Sequence, residues 1–513
     1  MRIAITALCA AAFPIWCLST ASAAIVQAEV TGGAVSGTVD GGISSFKGIP
    51  FAAPPVGELR WKAPQKVVAW RGIKKADAFA PQCPSRQDNA IRGSEDCLYL
   101  NIWTGAQTRH EKRPVMVWIY GGGFNEGATS NPVFDGTHFA RDGVVLVSIA
   151  YRVGVLGFLA HPDLSRESGN SSGAYGLQDQ IAALQWVKKN INGFGGDPHR
   201  VTLFGESSGA ISVSLLTAAP AARGSFRYAI AQSGGAFLQP PRLIDHDGPP
   251  LQSLAYAESM GQRFFTSLNA ANLAQARRIP TQQLLEAATQ SPWWWWVVVD
   301  GNVLPGPNFE LYQHGRFSDI PILIGFNSDD RHGDPDSHDT IGWFEDYVAH
   351  NYAQCPSLDH SILAAYPHRT DTEAAQAYRD LFNDTWYGGN ALSWAQLHNR
   401  YARSSTYVYY FDIRTPQTPY GAPHGADLPY VFGNFQHPAS NEDLATSTLM
   451  RHYWINFATR GDPNGPGLPP WPNFTHAAQD ALIFDRAPSE RPLPHADRMK
   501  SVADYYDCVR STR

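Results

Sequence analysis

The chain has 513 residues, 43% of them hydrophobic, and a formal net charge of -6. That apolar content over that length excludes a disordered protein, and 15 Trp beside 45 Gly and 37 Pro point to a large folded body with long, ordered loops. The weak negative balance argues against nucleic acid as a partner, because phosphate binding needs a basic face.

The first residues read as an export signal. Arg2 is a positive start, Ile3 to Leu18 is mainly apolar, and Ala21-Ser22-Ala23 is a small-residue cleavage site. Residues 1–23 are therefore expected to be removed, leaving 24–513 as one exported domain, periplasmic or extracellular. Pro14 interrupts the apolar run and a polar segment follows it, so no transmembrane anchor is expected. Cleavage also removes Cys9 and Cys17. The remaining four cysteines allow two disulfides in three connectivities. Cys83 and Cys97 flank a short polar loop and are expected to pair. Cys355 would then pair with Cys508, the alternative being two free buried thiols.

Thr31 to Ser45 reads as a hairpin or meander, and Phe46 to Ala52 with the following Pro54-Pro55-Val56-Gly57 as an irregular loop wrapping the surface or the mouth of a site. Pro114 to Tyr120 is a nearly continuous apolar run, which suggests a strand covered on both faces, and it ends in Gly121-Gly122-Gly123. Three glycines after a core strand suit backbone that must approach a ligand closely. Gly143 to Tyr151 is a second apolar strand, and Gln178 to Asn190 has helical periodicity. Then come Val201 to Phe204, Gly205-Glu206-Ser207-Ser208-Gly209, and the apolar stretch Ala210 to Leu216. Strand, sharp turn and helix would lift the Ser207 hydroxyl above the sheet and put free N–H groups of the helix start beside it.

Tyr228 to Gln232 is a further short strand. About residues 240–320 and 340–400 read as helical cap insertions, with Leu251 to Leu268 and a Pro280-broken Leu273 to Ala288 in the first. Pro321 to Gly325, Thr406 to Phe411 and Ala481 to Phe484 return to strand, and Asp497 to Arg510 reads as a closing helix. Alternating strands and helices predict a mostly parallel α/β sheet.

A serine hydroxyl needs a base within hydrogen-bond reach and an anion to orient that base. Asp329-Asp330 follows one predicted strand, and His424 lies in a turn-rich loop after another. The chain order Ser, acid, His fits the α/β-hydrolase fold. Glu206, beside the serine, could add negative field or hold a water.

Several ordered segments carry a family resemblance. They are Phe46 to Ala52, Glu95-Asp96-Cys97-Leu98-Tyr99-Leu100-Asn101, Tyr120-Gly121-Gly122-Gly123-Phe124, Tyr151-Arg152-Val153-Gly154, Gly205 to Gly209, Val299-Asp300-Gly301 and Gly461-Asp462-Pro463-Asn464. With these the chain resembles the type-B carboxylesterases, which include cholinesterases and bacterial para-nitrobenzyl esterases. The resemblance implies Ser207 as nucleophile, His424 as base and Asp330 as the orienting acid, with Asp329 as the alternative. The family usually has Glu where this chain has Asp330. It implies an oxyanion hole from the backbone of Gly122, Gly123 and Ser208, and a Cys83–Cys97 bridge. The chemistry calls for no cofactor and no metal.

By the same resemblance, the segment before Val299-Asp300-Gly301 helps wall the acyl pocket. Of its four tryptophans, an extended backbone would turn alternate rings to opposite sides, so Trp293 and Trp295 could face the pocket. The alternative is that all four pack the cap onto the sheet. The first arrangement implies a small-molecule ester substrate with a short acyl group; nothing in the sequence limits the alcohol part, which could be bulky or aromatic. A lipase for long acyl chains is the alternative. A non-catalytic adhesion protein of the same family is disfavoured because Ser207 and His424 are both present.

Overall fold

Runs of β-branched and aromatic residues assemble into one eleven-stranded sheet. In the computed structural model, which describes residues 24–87, 90–238, 251–291, 295–331 and 340–512, its strands run from edge to edge as Ser489–Pro492, Asp480–Phe484, Thr406–Phe411, Ile322–Asn327, Tyr228–Gln232, Gly196–Glu206, Arg113–Ile119, Val145–Ile149, Tyr99–Thr104, Ile43–Pro50 and Thr38–Asp40. The expected signal segment, residues 1–23, lies outside the described residues. Strands from Asp480–Phe484 to Val145–Ile149 are mutually parallel; the margins are antiparallel. Parallel strands need crossovers, and helices such as Tyr175–Asn190 and Ser208–Ala218 supply them and cover the faces. This is an α/β-hydrolase architecture with large helical insertions.

The central strands are buried along most of their length. Phe204, just before the Ser207 turn, packs on Trp118, Phe139 and Phe432 with ring centroids 4.8, 6.1 and 5.8 Å away. Each such side chain taken from water is worth roughly 1.5–3 kcal/mol, so this cluster fixes the strand that leads to the serine.

The first insertion contains helices Leu254–Ser267, Leu273–Arg278 and Thr281–Gln290, the last two separated at Pro280. The second contains Ile341–Asn351, Asp359–Ala365, Asp371–Asn383 and Gly389–Tyr401, with a π-helical turn at Asp384–Gly388. Disulfides join Cys83 to Cys97 and Cys355 to Cys508, with Cα separations of 5.0 and 6.3 Å. The second ties the insertion to the closing helix Ala496–Ser511.

The structure corrects the reading of the segment after Ser45. Phe46 to Pro50 is not a surface loop but part of a main-sheet strand, with its register shifted between Phe46 and Ile49. A bulge there absorbs Gly48, whose φ is +76° and whose N–H donates to Asn101 Oδ1 at 2.9 Å. No described residue lies in a helix long and apolar enough to cross a membrane.

Candidate active site

The Gly196–Glu206 strand ends directly at Ser207, and the Ser208–Ala218 helix begins at once. Ser207 takes φ 57° and ψ -127°, a conformation that costs a non-glycine residue about 1–3 kcal/mol and persists only where the surroundings hold it. They do so here: the Ser207 N–H donates to Gln232 O and its carbonyl accepts from Ile211 N, both at 2.9 Å. The flanking glycines are required sterically. A Cβ on Gly209 would lie 2.1 Å from Ile119 O, and one on Gly205 would lie 2.6 Å from the Gly209 backbone. Ser207 is half-buried, whereas Glu206 and Ser208 on either side are buried.

The three-glycine loop leaves the neighbouring Arg113–Ile119 strand. It passes close over the turn, since a Cβ on Gly121 would lie 2.8 Å from Ser207 Cβ. Tyr120 and Tyr151 stack at 4.7 Å beneath the loop, each hydroxyl donating to the other's carbonyl at 3.2 and 3.0 Å. Gly122 and Gly123 both have positive φ, at 109° and 61°. Ser208 is the first helical residue, so its N–H is among those with no acceptor inside the helix.

Asp330 and His424 come together from loops that follow the adjacent strands Ile322–Asn327 and Thr406–Phe411. His424 Nδ1 lies 2.8 Å from Asp330 Oδ1. The other oxygen, Asp330 Oδ2, accepts from Ser233 Oγ at 2.8 Å and from the Asn327 N–H at 2.7 Å. The two loops are stitched side by side: Asp329 N donates to Ala422 O, and Asn327 Nδ2 donates to Pro423 O. Asp329 turns away from the imidazole and pairs with Arg379.

Glu206 Oε1 lies 3.1 Å from His424 Nε2, the ring nitrogen not used by Asp330. Burial raises the Glu206 pKa, opposed by the nearby His424. For His424, burial works downward, but the Glu206 charge and then the Asp330 hydrogen bond outweigh it and leave the imidazole above its ordinary value. The titrations of the two groups are therefore coupled.

Around this centre runs a chain of rings. Phe124, next after the glycines, lies 6.0 Å from Trp296; Trp296 lies 6.0 Å from Trp386; Trp386 lies 5.9 Å from Phe382; and Tyr387 sits 4.7 Å from His424. Trp386 and Tyr387 belong to the π-helical turn. Trp295, a candidate from the sequence for the acyl pocket, packs edge-on against Phe264 and is buried. The ring beside the glycine loop is Trp296. Trp293 lies outside the described residues.

A strained serine at a strand-to-helix turn, with a histidine held by an aspartate from the neighbouring loop, is the arrangement of a serine hydrolase. Residues 21–501 match the carboxylesterase family. The chain belongs to that family. This carboxylesterase is 36% identical over 463 residues to a fumonisin B1 esterase from Sphingopyxis macrogoltabida, covering 86% of this chain and 83% of that protein. It is 32% identical over 484 residues to the para-nitrobenzyl esterase of Bacillus subtilis, covering 88% and 93%. Among solved structures, a PNB esterase superposes with a TM-score of 0.81 at 31% identity, over 93% of this chain and all of that one. The Geobacillus stearothermophilus carboxylesterase EST55 gives 0.81 at 34% identity, covering 93% and 99%. The protein is a serine hydrolase of carboxylic esters.

Sequence reasoning missed Ser233, Tyr387 and Trp296 as parts of this site. Ser233 had a readable signal, since it follows the Tyr228–Gln232 strand directly and opens a Ser-Gly-Gly turn. Tyr387 had none, because its approach to His424 depends on how an insertion docks.

Proposed function

We propose that Ser207 is the nucleophile, His424 the base and Asp330 the orienting acid of this esterase, acting on short-acyl esters with a bulky or aromatic alcohol part. His424 Nε2 takes the Ser207 proton as Oγ bonds to the ester carbonyl carbon. The carbonyl oxygen becomes an oxyanion facing the N–H groups of Gly122, Gly123 and Ser208. As the tetrahedral centre collapses, the bond to the alcohol oxygen breaks and His424 protonates that alkoxide. Water, deprotonated by the same imidazole, then attacks the acyl-enzyme; the carboxylic acid leaves and Ser207 regains its proton. Asp330, 2.8 Å from Nδ1, fixes the tautomer in which Nε2 carries the accepting lone pair.

The observation that carries the assignment is the His424–Asp330 contact at the mouth of the Ser207 turn. The ring chain from Phe124 through Trp296, Trp386 and Phe382 to Tyr387 supports the substrate reading. Flat, apolar walls favour aromatic groups, and Trp296 beside Phe124 narrows the side next to the oxyanion loop. Two disulfides suit an exported protein, since such bonds persist in oxidising compartments.

Ser207→Ala tests the centre. A folded variant, checked by circular dichroism, should lose turnover of a short aryl ester. Hydrolysis at the wild-type rate would rule Ser207 out as nucleophile.

A further inference from the structure

The orienting acid of this chain is one methylene shorter than the glutamate usual in the type-B esterases it resembles, yet its carboxylate stands 2.8 Å from His424 Nδ1. A shorter side chain reaches the same partner only if its backbone sits closer, and something must hold it there. Two contacts come from outside the sheet. Asn383 Oδ1 accepts the Asp330 backbone N–H at 2.9 Å, and the Arg379 guanidinium pairs with the Asp329 carboxylate. Both side chains belong to the Asp371–Asn383 helix of the second insertion and are four positions apart, so they lie on one helix face. Both are buried, Arg379 at 2% and Asn383 at 4% exposure.

The helix end that carries them is itself anchored. Arg498 of the closing helix donates to Asp384 and Asp380 at 2.5 Å, and Tyr366 OH donates to Asp384 at 2.9 Å. The clamp therefore bears on a braced element rather than on a free helix terminus.

We propose that Arg379 and Asn383 are positioning residues: one helix face of the insertion grips both residues of the acid loop and sets it forward, so that the short Asp330 side chain reaches His424. The proposal rests on the reading of Ser207, Asp330 and His424 as the catalytic triad. The grip acts on the backbone and on Asp329. Ser233 and the Asn327 N–H hold the carboxylate itself. Removing the grip would let the loop relax toward the sheet and lengthen the contact to His424. Misplacement of a catalytic group on the order of 1 Å can cost about 10²-fold in rate, because the geometry of proton transfer is lost.

The test compares Asp330→Glu in two backgrounds. In the wild-type enzyme the added methylene drives the carboxylate past its place in a clamped loop, and kcat should fall. Asn383→Ala should lower kcat about 10- to 100-fold with KM little changed, since no substrate contact is lost. Adding Asp330→Glu to Asn383→Ala should then raise kcat, because the longer side chain spans the gap that the relaxed loop opens. A merely structural role for Asn383 predicts no such reversal. Rates are normalised to active sites counted with a fluorophosphonate, so misfolded protein does not enter them. Asn383→Ser, which keeps a small polar side chain, carries the same comparison should the alanine variant fail to fold. A kcat unchanged by loss of Asn383, or an Asp330→Glu effect of the same size and sign in both backgrounds, overturns the proposal. Asp330→Asn separates this failure from that of the triad: an active asparagine variant sinks the triad reading, whereas an inactive one beside additive Asn383 effects sinks only the clamp.

Discussion

Glu206→Gln should move the acid limb of the kcat/KM profile to lower pH. In the proposed mechanism His424 must be unprotonated to accept the serine proton, so activity is lost as pH falls through the apparent pKa at which the His424–Glu206 pair takes up its proton. Burial alone would lower the imidazole pKa, and the Glu206 charge is the first influence that raises it. At 3.1 Å, with an effective dielectric constant of about 20, the attraction comes to about 5 kcal/mol, on the order of four pKa units. That figure is a ceiling. Burial also raises Glu206, so the two groups titrate as a coupled pair and the attraction is not expressed in the pKa of His424 alone. A downward shift of about one to two units is expected, with the group that remains being His424 supported by Asp330. Glutamine keeps the shape and the hydrogen-bonding oxygen but carries no charge, which isolates the electrostatic part. The assay is kcat/KM for a soluble aryl ester whose own ionisation lies outside the range scanned. An acid limb that stays in place, or moves to higher pH, would refute the reasoning.

Asp330→Asn should lower kcat about 10⁴-fold, the scale seen when the orienting carboxylate of such a triad loses its charge. Asp329→Asn should cost far less, because Asp329 faces Arg379 rather than the imidazole, and activities in the reverse order would move the acid to Asp329. Across p-nitrophenyl esters from acetate to laurate, kcat/KM should be highest between acetate and butyrate, and Trp296→Ala should shift the optimum to longer chains. A wild-type maximum at decanoate or beyond would instead indicate a lipase.

The parts of the fold written in local pattern were legible. Buried parallel strands appear as apolar runs, so Thr406–Phe411 and Tyr228–Gln232 fall where the residues place them. The Ser207 turn is legible because its glycines answer a local steric demand. The helix Asn441–Arg460 went unread although its signals were present: Ser447, Met450, Arg451, Trp454, Phe457 and Ala458 recur at helical spacing between a Ser440 cap and a left-handed Gly461. Phe46 to Pro50 was misread because glycine and proline argue for a loop, and only its pairing with Tyr99–Thr104 shows a bulged strand.

The tryptophan run shows where local pattern stops being informative. Adjacent rings were expected to face opposite ways, and they do: Trp295 meets Phe264 within the first insertion, while Trp296 meets Phe124 beside the glycine loop. Period two gives the alternation but not its phase, and a slip of one residue exchanges the two sides completely. The phase is set by a distant contact, the parallel pairing of Val297–Val299 with Leu251–Ser253, a strand that the sequence reads as the start of a helix. The same limit applies to Arg379, Asn383 and Tyr387. Their positions on a helix and its π-helical extension are local facts, whereas their partners Asp329, Asp330 and His424 depend on where that helix docks. Chemistry that needs particular residues at fixed spacing leaves a mark in sequence. Chemistry that needs one element pressed against another leaves it only in the packed structure.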